Sequence, residues 1–283
     1  MGSMEDGILH SIVDIAIESL SPAAQAAQRQ VVEIGSAHIV VLLHGAAAVR
    51  IGRDPRMDVE MRKRQELVDS IPVSIGFHVP RSLGPVVTLN EFSAVAVELV
   101  PGAPCPAGEG EPSELQDLLA RMSSIPTEPI AGLLAEPLAF CGGPEWYRIQ
   151  REEVLPRLKQ DVQRQAMDAV RALVNLEPVK EVFAHGDLGG HNVFWEGGRI
   201  SGVLDWDLSS RSDLSTDLAC VGVWNGWKKL SLIADAAEVR RASVRRNTFR
   251  LQQLAFAVLH GRPPAEIDRA VSRANAWFEK QSF

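Results

Sequence analysis

Tyrosine is almost missing from this chain of 283 residues: Tyr147 stands alone against six Trp and nine Phe. The chain therefore has no row of aromatic side chains of the kind that stacks successive nucleotide bases. Cysteine is scarce too. Cys105, Cys141 and Cys220 are odd in number, far apart and form no C-x-x-C pair. That excludes a zinc knuckle or a disulfide framework and makes a reducing cytoplasm the expected compartment. No apolar run approaches the roughly 18–20 residues of a membrane span, and the longest, 39–49, is broken by His44 and Gly45. The opening Met1-Gly2-Ser3-Met4-Glu5-Asp6 lacks the charge and apolar stretch of a secretory signal, and Met1–Ser3 reads as an addition before a native Met4. Positive charge is in deficit, with 29 Lys and Arg against 36 Asp and Glu, a net charge of −7. This disfavours a nucleic-acid partner and suits a cationic small molecule.

What is present is a globular supply: 46% hydrophobic and 23% charged residues, enough for one large domain or two smaller ones. Residues 8–20 place apolar side chains at helical spacing, ending near Ser21-Pro22. Strands are predicted at 31–34, 39–43 and 46–51, with turns at Gly35-Ser36-Ala37 and His44-Gly45. A polar-faced helix over 57–71 precedes short strands at 73–79 and 86–89 and an apolar strand at 92–100. The first hundred residues thus read as a mostly antiparallel sheet with one or two helices. Four prolines and three glycines in 101–112 mark a link between two lobes, or else a surface loop of one domain. Beyond it the pattern is helical at 113–122, 144–155, 158–176, 216–225, 228–234, 237–260 and 264–280, interrupted by β segments at 182–184, 193–195 and 200–204.

The segment 182–207, VFAHGDLGGHNVFWEGGRISGVLDWD, carries the densest chemistry. His185-Gly186-Asp187 follows a short apolar strand, and Gly189-Gly190 let the backbone turn tightly. Asn192 opens a strand that returns through a hairpin tipped by Gly197-Gly198 to Asp205-Trp206-Asp207. A hairpin brings the chain back to its start, so Asp187, Asn192 and Asp205 are expected to converge. Two carboxylates and an amide oxygen are hard donors of the kind Mg²⁺ takes beside phosphates.

His185-Gly186-Asp187 with Asn192 five residues after the Asp, and Gly202-Val203-Leu204-Asp205-Trp206, whose Asp205 lies thirteen residues after Asn192, resemble the aminoglycoside phosphotransferase family of the protein-kinase-like fold. The resemblance spans essentially the whole chain. It implies an α+β, bilobal fold: an N-terminal antiparallel-sheet lobe at 1–100 and a larger helical lobe at 101–283, with ATP or GTP in the cleft between. It implies that Asp187 orients the acceptor hydroxyl, that Asn192 and Asp205 hold Mg²⁺, and that His185 fixes the loop. Ser36 matches the nucleotide-positioning loop, and Glu98 and Val100 fall at the hinge that meets the purine. Arg50 stands where the family carries Lys, a departure that puts this phosphate contact in doubt, with Glu60 as its partner glutamate. The segments around Asp187 and Asp205, with Asn247-Thr248-Phe249 and Leu251-Gln252-Gln253, look most like the viomycin/capreomycin phosphotransferase branch. Macrolide kinases are expected to carry His at the Asn192 position.

Substrate contacts are less legible. Asp217, in Asp213-Leu-Ser-Thr-Asp217-Leu-Ala, is expected to steady a helix N-terminus. Asp207, Glu145 and Trp224 are candidates to meet the substrate. Glu145, Glu152, Glu153 and Asp161 either attract an amine-rich substrate or form a solvated face, and Trp224 and Trp227 wall a pocket or pack a core. Arg240, Arg241, Arg245, Arg246 and Arg250 read as a solvated or salt-bridged helix face. The expected activity is transfer of a nucleoside triphosphate γ-phosphate to a hydroxyl of a cationic antibiotic, by a monomer or weak dimer. The alternatives are a kinase of a macrolide or small metabolite, a pseudokinase suggested by Arg50, and a metallohydrolase using His185, Asp187 and His191.

Overall fold

The computed structural model describes residues 6–32, 38–53 and 58–280. The elements run α1 (Asp6–Ile17), α2 (Pro22–Gln25), β1 (Arg29–Val32), β2 (His38–Leu43), β3 (Ala47–Gly52), α3 (Asp58–Ser70), β4 (Val87–Leu89), β5 (Phe92–Val97), β6 (Ala103–Pro104) and α4 (Pro112–Ser123). They continue with α5 (Trp146–Ile149), α6 (Gln160–Val174), β7 (Val182–Ala184), β8 (Val193–Glu196), β9 (Arg199–Val203), β10 (Ser210–Ser212), α7 (Ser215–Asn225), α8 (Ala236–Leu259) and α9 (Pro264–Glu279). The chain divides into two compact units, one holding 1–104 and 193–206, the other 105–192 and 207–283.

In the first unit, apolar alternation along β2 and β3 builds an antiparallel sheet of order β1-β2-β3-β5-β4. Val41 pairs with Val49, and Val49 with Ala96. The stripe Ile12, Val13, Ala16 and Ile17 of α1 buries against Val41, Val49, Ile51 and Ala96. Each fully buried aliphatic side chain contributes about 1.5–3 kcal/mol. Met61 of α3 packs with Ala48, Val95 and Val97.

The strand expected at 73–79 does not form. Val73–Ile75 is a single tight turn stopped by Gly76 at φ 82°, and Val73 is 87% exposed. A left-handed glycine after Pro72 breaks the pleat that Val73, Ile75, Phe77 and Val79 imitate in sequence. The chain then runs to His78, whose N–H donates to Ser201 O at 2.8 Å and whose carbonyl accepts from Val203 N at 2.9 Å. The β8–β9 hairpin thereby joins the first unit. The stretch 101–112 is also more ordered than its prolines suggest, because β6 pairs with β8 at Ala103↔Trp195. Gly102 permits this: its φ is 90°, and a Cβ there would lie 2.4 Å from the Trp195 carbonyl oxygen.

The second unit is helical. Val162, Ala166 and Val170 of α6 meet Leu251, Leu254 and Ala255 of α8 and Ala274 and Phe278 of α9. Asp235 and Glu238 form a reciprocal capping box that starts α8. The helix expected at 144–155 is instead a chain of short turns: a 3₁₀ turn at Gly143–Glu145, α5, a π turn at Gln150–Val154 and a 3₁₀ turn at Leu155–Arg157. Pro156 cannot donate to the carbonyl one turn back, and the hydrogen-bond register slips around it. The helix expected at 228–234 is likewise a 3₁₀ run, Trp227–Leu232. Strand β10, which pairs with β7, has no apolar pattern, since its sequence is Ser-Arg-Ser. No helix among the described residues is long and apolar enough to cross a membrane.

Candidate active site

In the second unit, β7 delivers the loop 185–192. Its first residues are held from outside. Asp217, in the first turn of α7 and 1% exposed, accepts the backbone N–H of His185 at 2.8 Å and of Gly186 at 2.9 Å. Burial pushes the Asp217 carboxyl up, and these donors and His185 offset only part of that. Asp217 therefore grips the loop rather than its own helix end. Gly186 (φ 84°) admits no side chain, because a Cβ would lie 2.5 Å from Leu208 O. His185 is fully buried, and its Nδ1 accepts the Asp187 N–H at 3.3 Å. Leu188, also fully buried, pins the far side.

Asp187 is thus presented with a 39% exposed side chain. Asn192 clamps it by donating Nδ2 to Asp187 O at 2.9 Å and to Asp187 Oδ2 at 3.2 Å. His191 Nε2 lies 3.7 Å from the same Oδ2. Burial alone would raise the Asp187 carboxyl, but His191, His185 and Asn192 together hold it below its ordinary value. Oδ2 is engaged by these groups, and no hydrogen bond to Oδ1 is made among the described residues. The amide hydrogens of Asn192 are spent on Asp187, which leaves its Oδ1 as an acceptor.

Trp224 sits behind this loop. Its Nε1 donates to Cys105 O at 3.0 Å, its ring lies 5.7 Å from that of His191, and a Cβ on Gly190 would come within 1.9 Å of the indole. Asn225 and Lys229 bond Glu109 O and Gly110 O, at 2.8 and 2.9 Å.

In the first unit, Asp205 follows β9 and is exposed, with a left-handed φ of 59°. Aspartate tolerates this conformation better than most residues, and such backbone concentrates at functional positions. Trp206 anchors the turn, fully buried, with Nε1 donating to Val203 O at 3.0 Å and its ring stacked 6.4 Å from Phe77. Val193 pairs with Val203, so Asn192 precedes this hairpin directly and Asp205 follows it by two residues. Arg50 reaches His38 Nδ1 at 3.3 Å from β3. Glu60 on α3 is exposed and pairs with Arg64 one turn on, at 3.1 Å. At the hinge, Glu98 N–H donates to Arg81 O at 2.8 Å. Among the described residues, neither the Glu98 carbonyl oxygen nor the Val100 N–H meets a protein partner. Ser36 lies outside the described residues.

Of the four acidic residues considered for substrate attraction, all but Asp161 pair with arginines of their own segment. Glu145 and Glu152 pair with Arg148 at 2.7 and 3.0 Å, and Glu153 pairs with Arg157 at 3.7 Å. Asp207 is half-buried where the chain enters the second unit again. No cluster of three or more His, Cys, Asp and Glu suited to a metal exists among the described residues.

Sequence reasoning missed the role of Asp213. Its Oδ1 accepts Ser215 N at 2.8 Å, while Oδ2 takes Arg241 Nε at 2.7 Å and lies 3.4 Å from Arg245. Two members of the arginine run thus tie α8 to the start of α7. The signal was the Asp-x-Ser turn ahead of a helix, beside arginines at i and i+4. Burial would raise Asp213, but the Ser215 N–H, Arg241 and Arg245 hold its carboxyl below the usual range. A folded value below the unfolded one contributes stability that is full above about pH 4 and lost as pH falls through the folded value. Asp213→Asn is expected to cost about 3 kcal/mol at neutral pH. Its melting temperature should also fall less steeply than wild type between pH 5 and about pH 3; parallel acid melting curves would refute this role.

The chain matches the model of the phosphotransferase enzyme family, APH, over residues 40–261. It is 29% identical over 209 residues to viomycin phosphotransferase of Streptomyces vinaceus, covering 67% of this chain and 73% of that one. The structure is similar to the GDP and kanamycin complex of APH(2")-IIia, with a TM-score of 0.80 at 12% identity over 97% of this chain and 99% of that one. It is similar also to macrolide 2'-phosphotransferase MphH from Brachybacterium faecium, with a TM-score of 0.72 at 17% identity, over 94% and 98% of the two chains. These last two likenesses establish the fold.

Proposed function

The chain belongs to the phosphotransferase enzyme family, and from that premise we propose that it moves the γ-phosphate of ATP or GTP to a hydroxyl of a cationic antibiotic. The observation that carries the proposal is the clamp on Asp187: one carboxylate oxygen is held by Asn192, the other is open, and the group is kept ionised. The identity to viomycin phosphotransferase favours a cyclic basic peptide as acceptor. The net charge of −7 supports a cationic one.

Asp187 Oδ1 accepts a hydrogen bond from the acceptor hydroxyl and orients its oxygen toward the γ-phosphorus. The bond from that phosphorus to the β–γ bridging oxygen breaks as the new P–O bond forms. The hydroxyl proton passes to Asp187, and the nucleoside diphosphate leaves. A carboxyl held below its ordinary value is a weak base, which suits a reaction in which positioning outweighs proton removal. Asn192 Oδ1 on the second unit and the exposed Asp205 carboxylate on the first are each a hard oxygen donor of the kind that suits Mg²⁺. An ion held by such donors would neutralise charge developing on the phosphate oxygens. On the first unit, the open Glu98 carbonyl and Val100 N–H suit a purine edge, and Arg50 suits a phosphate.

The test is a coupled turnover screen with Mg²⁺ and ATP or GTP against cyclic basic peptides, aminoglycosides, macrolides and amino alcohols. Stimulation by a cationic antibiotic is expected, and stimulation by an uncharged metabolite alone would overturn the substrate class. Asp205→Ala should weaken Mg²⁺-dependent nucleotide binding at least tenfold in calorimetry, and an unchanged affinity would remove Asp205 from the metal site.

A further inference from the structure

The arginine run of α8 divides in two. Arg241 and Arg245 share the Asp213 carboxylate. Arg246 and Arg250, one turn apart, meet no carboxylate among the described residues. Other arginines of the same unit, Arg121, Arg148, Arg157, Arg211 and Arg262, each pair with one. The Arg246 guanidinium carbon lies over two indole rings, 4.8 Å from the Trp227 centroid and 4.9 Å from that of Trp277. Among the described residues nothing accepts a hydrogen bond from it. Its place is concave: a cleft of about 290 Å³, floored by Gly226 and walled by Trp227, Arg246, Arg250, Gln253 and Trp277. Arg250 is steadied by donating to Gln253 Oε1 at 2.9 Å. The Trp277 Nε1 is buried without an acceptor.

The two indoles offer the Arg246 guanidinium π-faces and no hydrogen-bond acceptor, so its N–H groups remain unspent. Those groups form a fork matched to two oxygens of a carboxylate or phosphate. Partial burial strips water from the cation without supplying a counter-charge, and it lowers the affinity of the group for its proton. Cation–π contact offsets part of this loss but satisfies none of the five donors.

We propose that the Trp227–Arg246–Trp277 cleft is a binding site for a small oxyanion, a carboxylate or phosphate group, distinct from the Asp187 site. Arg246 supplies the fork, Arg250 a second charge and the indoles the rigid walls. The site does not depend on the phosphotransfer reading. It stands apart from that reading's cationic acceptor, because the charge of the cleft has the opposite sign.

The experiment is calorimetric titration of the full chain with inorganic phosphate and, separately, citrate. Ionic strength is held constant with sodium chloride, with and without excess ADP and Mg²⁺ so that binding at a nucleotide site is distinguished. Saturable binding of one anion that persists with ADP, with a change in indole emission, is expected. Phosphate alone would mark a phosphate site, and citrate alone a carboxylate site. Arg246→Met, which keeps a stacking side chain of similar length, should weaken it at least tenfold, and Arg246→Lys less. Should Arg246→Met not fold, Arg250→Met should show a several-fold loss. No saturable binding to wild type, or binding unchanged in these variants, would overturn the site.

Discussion

Replacing Asp187 by alanine is expected to lower kcat about 10²–10⁴-fold, the range attached to a positioned acid–base group, while nucleotide affinity stays within several-fold. The effect should fall on kcat because, in the proposed role, Asp187 meets the acceptor hydroxyl and not the nucleotide. Its contacts are to Asn192, His191 and the loop backbone. Asp187→Asn isolates the charge, since the amide can still be clamped by Asn192 but offers the hydroxyl a weaker acceptor. Steady-state kinetics with the best acceptor from the screen, beside calorimetry with nucleotide, separates the two quantities. Near-full turnover in either variant would remove Asp187 from the reaction.

Asp217→Ala should be the most damaging change away from the reacting atoms. It strands two backbone N–H groups, of His185 and Gly186, at a buried position. Each such loss costs about 1–3 kcal/mol, so about 4 kcal/mol in total. That is a large fraction of the 5–15 kcal/mol typical of a domain. Asp217→Asn keeps one acceptor oxygen and should fall between. Urea unfolding gives the stability change. Because the loop that carries Asp187 is what loosens, the folded fraction should also show a reduced kcat. A variant as stable as wild type would mean the two N–H groups find other acceptors.

The loop proposed to carry the chemistry stands out in the sequence because its motif is local. Asp187, Asn192 and Asp205 lie within nineteen residues of one another, and their glycines announce the turns. The sheet was legible because β2, β3 and β5 alternate or run apolar without interruption. What was lost is non-local or conformational. Val73–Val79 has the composition of a strand, but one left-handed Gly76 ends it. Residues 144–155 have helical spacing, but Pro156 lies outside that window and acts backwards on it. Asp217 looked like a helix cap, and only the structure gives it partners thirty-two and thirty-one residues upstream. The arginine run read as one solvated or salt-bridged face; Asp213 pairs with two of its members and two tryptophans hold a third. Nothing in the spacing distinguishes Arg245 from Arg246, because their partners come from other helices.

The return of the hairpin to the first unit has a consequence for synthesis. His78 is bonded through its backbone to Ser201 and Val203, and β6 closes only on β8. A nascent chain ending near residue 104 holds the five strands of the main sheet but none of these later partners. Gly102, shaped for the Trp195 carbonyl, has nothing to close against until some ninety further residues have been made. The second unit is half synthesised by then. The early unit must wait as an incomplete sheet while its neighbour begins to fold, and the segment carrying Asp205 is the piece that ends the wait. The order of translation thus places Asp205 two residues beyond the last strand pairing of the unit that was started first.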